Sequence, residues 1–507
     1  MVGASARIAR DQDAVSRREG FDEFDKVDAF NRFIGAYPEF ASTSRLDILR
    51  TTEYSRLDAT RHVYLDYTGG ALYAERQLRK HLALLGSQVF GNPHSRNPTS
   101  CAMNELIEKA RRDVLRFFNA SPDEYMVIFT PNATGALKLV GESYPFRAGS
   151  IFALTADNHN SVNGIREFAR RKGASIAYAP IVAPDLRVDR VALSKILAGA
   201  PDAPNKLFAY PAQSNFSGVQ HPIEWIAEAR AHGWDVLLDA AAFVPTNRLD
   251  LSVVHPDYVD ISFYKIFGYP TGIGCLLARR AAVAKLVKPW YAGGTIAFST
   301  VATQGHYLAS GPARFEDGTV NYLSLPAVSI GLDFIQSVGI DVIHRRVMCL
   351  TGWLLDQLTM MRHGNGRPLV RIYGPTTTRE RGATLQMNFF DADGARIDAF
   401  TSERLASAQR ISLRAGCHCN PGAREAALGF TRDDLAGAFS NADGISFNQF
   451  RRRILKKTVG ALRLSLGLAT NFADVSRFLQ FAGGFIDKSV GELPRGRVST
   501  GCPVGAA

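Results

Sequence analysis

Lys265 lies between two apolar runs, Tyr258 to Phe263 and Cys275 to Ala278, in a stretch rich in turn formers: Gly268, Pro270, Gly272 and Gly274. An amine at the mouth of a buried strand has two readings. It can snorkel to water along its own methylene stem. It can also stand in a dry pocket and form a Schiff base with a carbonyl cofactor. The second reading needs helpers elsewhere: an anion cradle, a partner for a ring nitrogen and a group to stack on a ring.

Three other stretches offer them. Asp239 follows the run Asp235 to Leu238, and a carboxylate at the end of a buried strand needs a cationic or N–H partner. A protonated pyridine nitrogen would serve, as would the turn that follows. Thr130-Pro-Asn-Ala-Thr-Gly135 joins a short apolar run to a helix. The backbone amides around Ala133 and the Thr134 hydroxyl make an anion site there, or an ordinary N-cap. His159, in Asp157-Asn-His-Asn-Ser161, is a ring that could stack on a cofactor or simply sit in a loop. Together these demands describe pyridoxal phosphate (PLP), whose pyridine must stay protonated to act as an electron sink.

The elements that must position these residues alternate. Strands are expected near 126–129, 151–154, 175–179, 207–210 and 236–238, with helices near 134–143, 162–171, 191–197 and 223–232. Such alternation predicts an α/β fold with a mostly parallel sheet and ligands at the carboxyl ends of its strands. After Pro326 the texture changes to long helices (326–337, 342–361) and then strands near 369–373, 383–390 and 463–466, which reads as a smaller α+β domain. The expected division is an extension at 1–55 packing on the body, a large domain at 56–325, a small domain at 326–490 and a disordered tail at 491–507.

The order of cradle, histidine, Asn215, aspartate and lysine resembles PLP-dependent fold-type I enzymes of the class V aminotransferase and cysteine desulfurase family. It is most similar to the N-terminal domain of molybdenum cofactor sulfurases. Tyr64-Leu-Asp-Tyr-Thr-Gly-Gly70, Phe90-Gly-Asn-Pro-His-Ser95, Tyr210-Pro-Ala-Gln-Ser-Asn-Phe-Ser-Gly218, Ser262-Phe-Tyr-Lys-Ile-Phe-Gly268, Arg314-Phe-Glu-Asp-Gly-Thr319 and Arg414-Ala-Gly-Cys-His-Cys-Asn420 carry the likeness. It implies that Lys265 holds PLP, Asp239 pairs with its ring nitrogen and His159 stacks on the ring. Ala133, Thr134 and Ser262 would bind the phosphate, with Thr319 reaching it from a second subunit. Asn215 would lie near the ring oxygen or the substrate carboxylate, which Arg463 and Arg414 would grip. Cys419 would take sulfur from L-cysteine as a persulfide and pass it to an acceptor protein or to molybdenum cofactor.

Arg414 and His418 near Cys419 are expected to lower its pKa, and Asn420-Pro-Gly to keep its loop mobile. An inert buried thiol or a structural Cys-x-Cys is the other reading. Ala242 and Tyr264 stand where the wider desulfurase group has Gln and His. Molybdenum cofactor sulfurases typically continue into a further domain that binds that cofactor, whereas this sequence ends at Ala507. Two other functions stay open: another class V PLP enzyme, an aminotransferase or C–S lyase, or a non-catalytic partner protein on the same scaffold.

Composition bounds the rest. Of 507 residues 46% are hydrophobic and 21% charged, an ordinary globular balance. The net charge of +11 is dispersed, apart from Arg451 to Lys457, and no nucleic-acid-binding motif accompanies it. Six cysteines are too sparse for a disulfide framework, and no metal-ligand spacing appears. No membrane span or signal peptide is visible, so a cytoplasmic protein is expected, and the resemblance, through Thr319, implies a homodimer.

Overall fold

Continuous apolar runs such as Val236-Leu-Leu238 and Leu207-Phe-Ala-Tyr210 belong to strands covered on both faces. The structure, a computed structural model, describes residues 27–436 and 460–494. In it these runs join a seven-stranded sheet ordered Tyr125–Thr130, Gly274–Arg279, Tyr258–Ser262, Asp235–Asp239, Lys206–Pro211, Ile151–Thr155, Ser175–Ala179. Four neighbouring pairs are parallel, and Gly274–Arg279 runs antiparallel to both of its neighbours. Every residue of Lys206–Pro211, Asp235–Asp239 and Tyr258–Ser262 is buried. Their carboxyl ends open side by side, on the same edge as Thr130 and Thr155.

The helix expected at 162–171 is two helices, Asn160–Asn163 and Ile165–Arg171. It starts early because the His159 ring accepts a hydrogen bond from the Ser161 amide and so caps the first turn.

A second sheet, Val370–Tyr373, Thr384–Phe389, Ala461–Ser465, Arg414–Gly416, is antiparallel throughout. The helices Pro326–Val338 and Ile340–Met360 lead into it, bent by 67° at Gly339. No single helix among the described residues is long and apolar enough to cross a membrane.

The segment after residue 55 adds a short two-stranded sheet and touches the four-stranded one. Val63–Tyr64 pairs in parallel with Ile411–Ser412, and Asp66 bridges to Ser465. Residues 27–53 pack against the helices Ile340–Met360 and Phe472–Gly483. Phe33 is fully buried and stacks on Phe472, with ring centroids 4.8 Å apart. Arg50 reaches Asp474 at 2.5 Å, and buried Arg346 pairs with Asp47.

Residues 491–494, at the start of the expected tail, are within the described residues. Val490–Glu492 forms a 3₁₀ turn and the Val490 amide donates to Asp391 at 3.2 Å. The basic run at 451–457 lies outside the described residues, as do residues 1–26 and 495–507.

Candidate active site

A cavity of about 310 Å³ opens at the carboxyl edge of the large sheet. One end is the start of the helix Ala133–Ser143, where Asn132 caps by accepting from the Gly135 amide at 2.9 Å. The Ala133 amide donates to Ser262 Oγ at 3.0 Å, and Thr134 Oγ1 lies 2.8 Å from Ser161 Oγ. Three hydroxyls thus gather at the positive end of a helix dipole, a suitable seat for a phosphate. The cradle depends on close backbone approach. A Cβ on Gly274 would come within 2.7 Å of the Asn132 backbone.

Two carboxyl groups form the floor. Asp239 is 8% exposed and accepts from the Ala241 amide at 3.0 Å through Oδ1. Asp260, its register partner on the neighbouring parallel strand, is fully buried. Burial, with Asp239 beside it, pushes the Asp260 carboxyl well above the usual carboxylate range.

Lys265 and His159 line the same cavity. Lys265 falls in the short helix Phe263–Phe267, which ends at Gly268 with φ +80°. A Cβ at Gly268 would run into the Tyr73 backbone nitrogen, so both the turn and its neighbour require glycine. His159 is pushed down to about 4, first by burial and then by the positive charge of Lys265. Its ring is neutral at neutral pH, with Nδ1 accepting from the Ser161 amide at 3.1 Å.

The loop carrying Cys419 docks on this wall. Cys419 O accepts from the Asn160 amide at 2.7 Å, one residue after His159. Asn215 Nδ2 donates to His418 O at 2.7 Å, and Asn420 Nδ2 donates to Asp157 O at 2.7 Å and to Asn215 Oδ1 at 2.9 Å. The expectation of a mobile loop is therefore corrected, because buried Asn420 pins it and also caps the helix Pro421–Leu428.

The expected lowering of the Cys419 pKa is corrected too. Burial raises it, Cys417 adds to the rise, and Arg463, Arg414 and Lys265 offset only part. His418 supplies no positive charge, since complete burial drives its own pKa well below the ordinary value.

Asp66 joins the two candidate carboxylate grips. Its Oδ2 accepts from Arg414 Nη2 at 2.7 Å and its Oδ1 from Arg463 Nη2 at 3.0 Å. Arg463 Nη1 donates to Asn215 O at 3.2 Å, while its buried Nε meets no acceptor. Arg463 therefore keeps one donor unspent next to the Asn215 wall.

The model of the "Aminotransferase class-V" family matches residues 63–478. The chain belongs to the class V aminotransferase family. Among curated members it is 35% identical over 484 residues to the molybdenum cofactor sulfurase of Solanum lycopersicum, covering 89% of this chain and 59% of that one. It is 36% identical over 460 residues to that of Bos taurus, covering 85% and 51%. The chain thus spans between half and three-fifths of these relatives' length. Solved structures show the same fold. A cysteine desulfurase from Thermococcus onnurineus NA1 superposes with a TM-score of 0.70 at 22% identity over 87% of this chain and 98% of its own. Cysteine desulfurase CsdA from Escherichia coli gives 0.66 at 20% identity over 86% and 97%. The fold is that of these solved structures, an α/β body with a mixed, mostly parallel sheet.

For this class V member, Lys265, Asp239, His159, Ala133, Thr134, Ser262 and Asn215 all line one cavity. Arg463 and Arg414 stand behind it on adjacent strands of the small sheet, paired residue to residue. Thr319 is exposed and lines no part of the cavity of its own chain. Sequence reasoning missed Asp66, Ser161, Asp260 and Gln213, the last of which also lines the cavity. Asp66 and Gln213 lay inside the quoted motifs. Asp260 carried a signal, a charged residue within a run otherwise fit for a buried strand.

The cavity fits PLP on its own terms. It offers hydroxyls at a helix start for the phosphate, an amine, a neutral imidazole and a buried carboxyl pair that would meet a protonated ring nitrogen.

Proposed function

We propose that this chain is a PLP-dependent sulfurtransferase of the cysteine desulfurase type, which converts L-cysteine to alanine and holds the sulfur as a persulfide on Cys419. The observation that carries the proposal is the docking of the Cys419 loop on the Asn160 amide and the Asn215 side chain, beside His159 and Ser161, which with Asn215 line the Lys265 cavity. An acceptor thiol is useful only where the substrate sulfur arrives.

Lys265 Nζ would hold the cofactor and move the substrate α-proton. Asp239 would pair with a protonated ring nitrogen. Ser262, Thr134 and the Ala133 end of the helix would hold the phosphate, and His159, neutral here, would add no charge beside it. PLP, when bound, draws electron density from the substrate α-carbon. Arg463, through Nε, and Arg414 orient the substrate carboxylate. Cys419 Sγ gives up its proton and bonds to the substrate sulfur as the Cβ–S bond breaks. That electron pair stays with the substrate carbon, which takes up a proton and leaves as alanine.

The active unit in this reading is a cytoplasmic homodimer. Thr319 reaches the partner's phosphate site, and exposed Trp290, Phe298 and Tyr307 supply an apolar face nearby in sequence. The sulfur acceptor is molybdenum cofactor carried by another protein.

Incubation of the PLP-loaded protein with L-cysteine should release alanine and add one sulfur to the Cys419 peptide, read by mass spectrometry. The raised Cys419 pKa favours one other reading, a C–S lyase. In that case pyruvate, ammonia and sulfide replace alanine, and Cys419→Ala changes nothing.

A further inference from the structure

Asp260 is a charged residue type in the most buried part of the sheet, and the chemistry described so far gives it no task. It is fully buried on the strand Tyr258–Ser262. Neither carboxyl oxygen meets an N–H or O–H donor, although a buried carboxylate without donors costs several kcal/mol in general. The group that faces it is another acid. Asp239 is its register partner on the adjacent parallel strand, so both side chains leave the same face of the sheet, and both line the cavity. Asp239 in turn spends Oδ1 on the Ala241 amide. Two carboxylates side by side in a dry floor cannot both ionise, whereas one proton between them turns a repulsion into a hydrogen bond.

We propose that Asp260 is a positioning residue that stays protonated and donates its O–H to the Asp239 carboxylate, so that the pair holds one proton and one negative charge. The arrangement fixes the Asp239 carboxyl against rotation and leaves its charge for a cationic ring nitrogen. The other charged or titratable groups around the pair agree with a single negative charge. Lys265 approaches from the short helix that follows and favours an ionised carboxyl, burial disfavours it, and Cys275 on the neighbouring antiparallel strand is itself held protonated, chiefly by burial. His159 is neutral. The role of Asp239 toward PLP rests on the function proposed above, but the shared proton does not.

Infrared difference spectra separate the two. The full chain freed of PLP at neutral pH, wild type minus Asp260→Asn, should show the carbonyl band of a protonated carboxyl. A spectrum without that band overturns the proposal. PLP binding, followed by absorbance, then tests the positioning role. Asp260→Leu should weaken it about tenfold, the loss of one hydrogen bond to a charged group, while Asp260→Asn, whose amide still donates, should stay within about twofold of wild type. Equal affinities for wild type and Asp260→Leu, or equal losses in both variants, overturn the positioning role. If the wild type itself fails to bind PLP, the cofactor reading falls and the infrared band alone decides the shared proton. The band alone also decides if Asp260→Leu does not fold.

Discussion

Cys419 is half-buried between cations and is still harder to ionise than an ordinary thiol, because lost solvation outweighs three partly screened charges. The thiolate is the nucleophile, so the rate of persulfide formation should still be climbing with pH above the range in which an exposed cysteine has already ionised. A pH–rate profile that is flat from neutral pH upward would show that the thiol is not limiting. Cys419→Ala should lower alanine formation by on the order of 10³ or more while PLP binding persists, because the cavity floor is untouched. Arg463→Lys removes the Nε–H left for the substrate carboxylate together with the fork that fixes it on Asp66 and Asn215, and should raise KM for L-cysteine about tenfold. Asp260 supplies a sign. Its pKa is raised in the native state, so its contribution to stability is full below the ordinary aspartate pKa near 3.9 and is lost as pH rises toward the native value. The stability of Asp260→Asn relative to wild type should therefore increase from acid to neutral pH in denaturant titrations. A constant difference would mean that Asp260 ionises alike in both states.

At the scale of elements, the site is a meeting of strand ends that one helix start closes. Gly274 lets the antiparallel strand slide beneath Asn132. Gly274→Ala should push the cap away from Ser262 and cost about 1–3 kcal/mol, with a matching loss of PLP affinity measured by absorbance titration. The two helices of 160–171 arise the same way. His159 is at once the ring in the cavity and the cap of the turn that presents the Asn160 amide to Cys419 O. Replacing it disturbs the cofactor wall and the thiol loop together.

Over the whole molecule, the N-terminal residues act as a brace. Phe33 sits among Phe40, Trp353 and Phe472, and Arg50 ties the same region to Asp474. Phe33→Ala should cost about 3 kcal/mol or more, seen as a lower denaturant midpoint. Exposed Phe298 and Tyr307, paired across two short strands, with exposed Trp290, are the proposed partner contact. Sedimentation should give twice the 55.4 kDa chain mass, and Phe298→Asp should shift it toward the monomer.

Much of this was legible in order along the chain. Apolar runs followed by turn residues mark strand ends, and the sheet chemistry that brings Thr130, Pro211, Asp239 and Ser262 to one edge is a property of parallel strands in general. Lys265 with its glycines and Asp239 after its run could be read for the same reason. Periodicity could not show that Gly274–Arg279 runs against its neighbours, because an apolar run has no direction. It could not show that Asp66 lies between Arg414 and Arg463, some 350 and 400 residues away in sequence. Nor could proximity in sequence give the state of Cys419. His418 and Arg414 look like activating cations on paper, but charge at a thiol depends on solvation, and only the packed structure buries His418 and half of Cys419. The sequence by itself determined the fold class, the amine and the aspartate. The tertiary structure decided which carboxyl faces which, since pairing across strands depends on register and the cost of an unpartnered charge depends on depth.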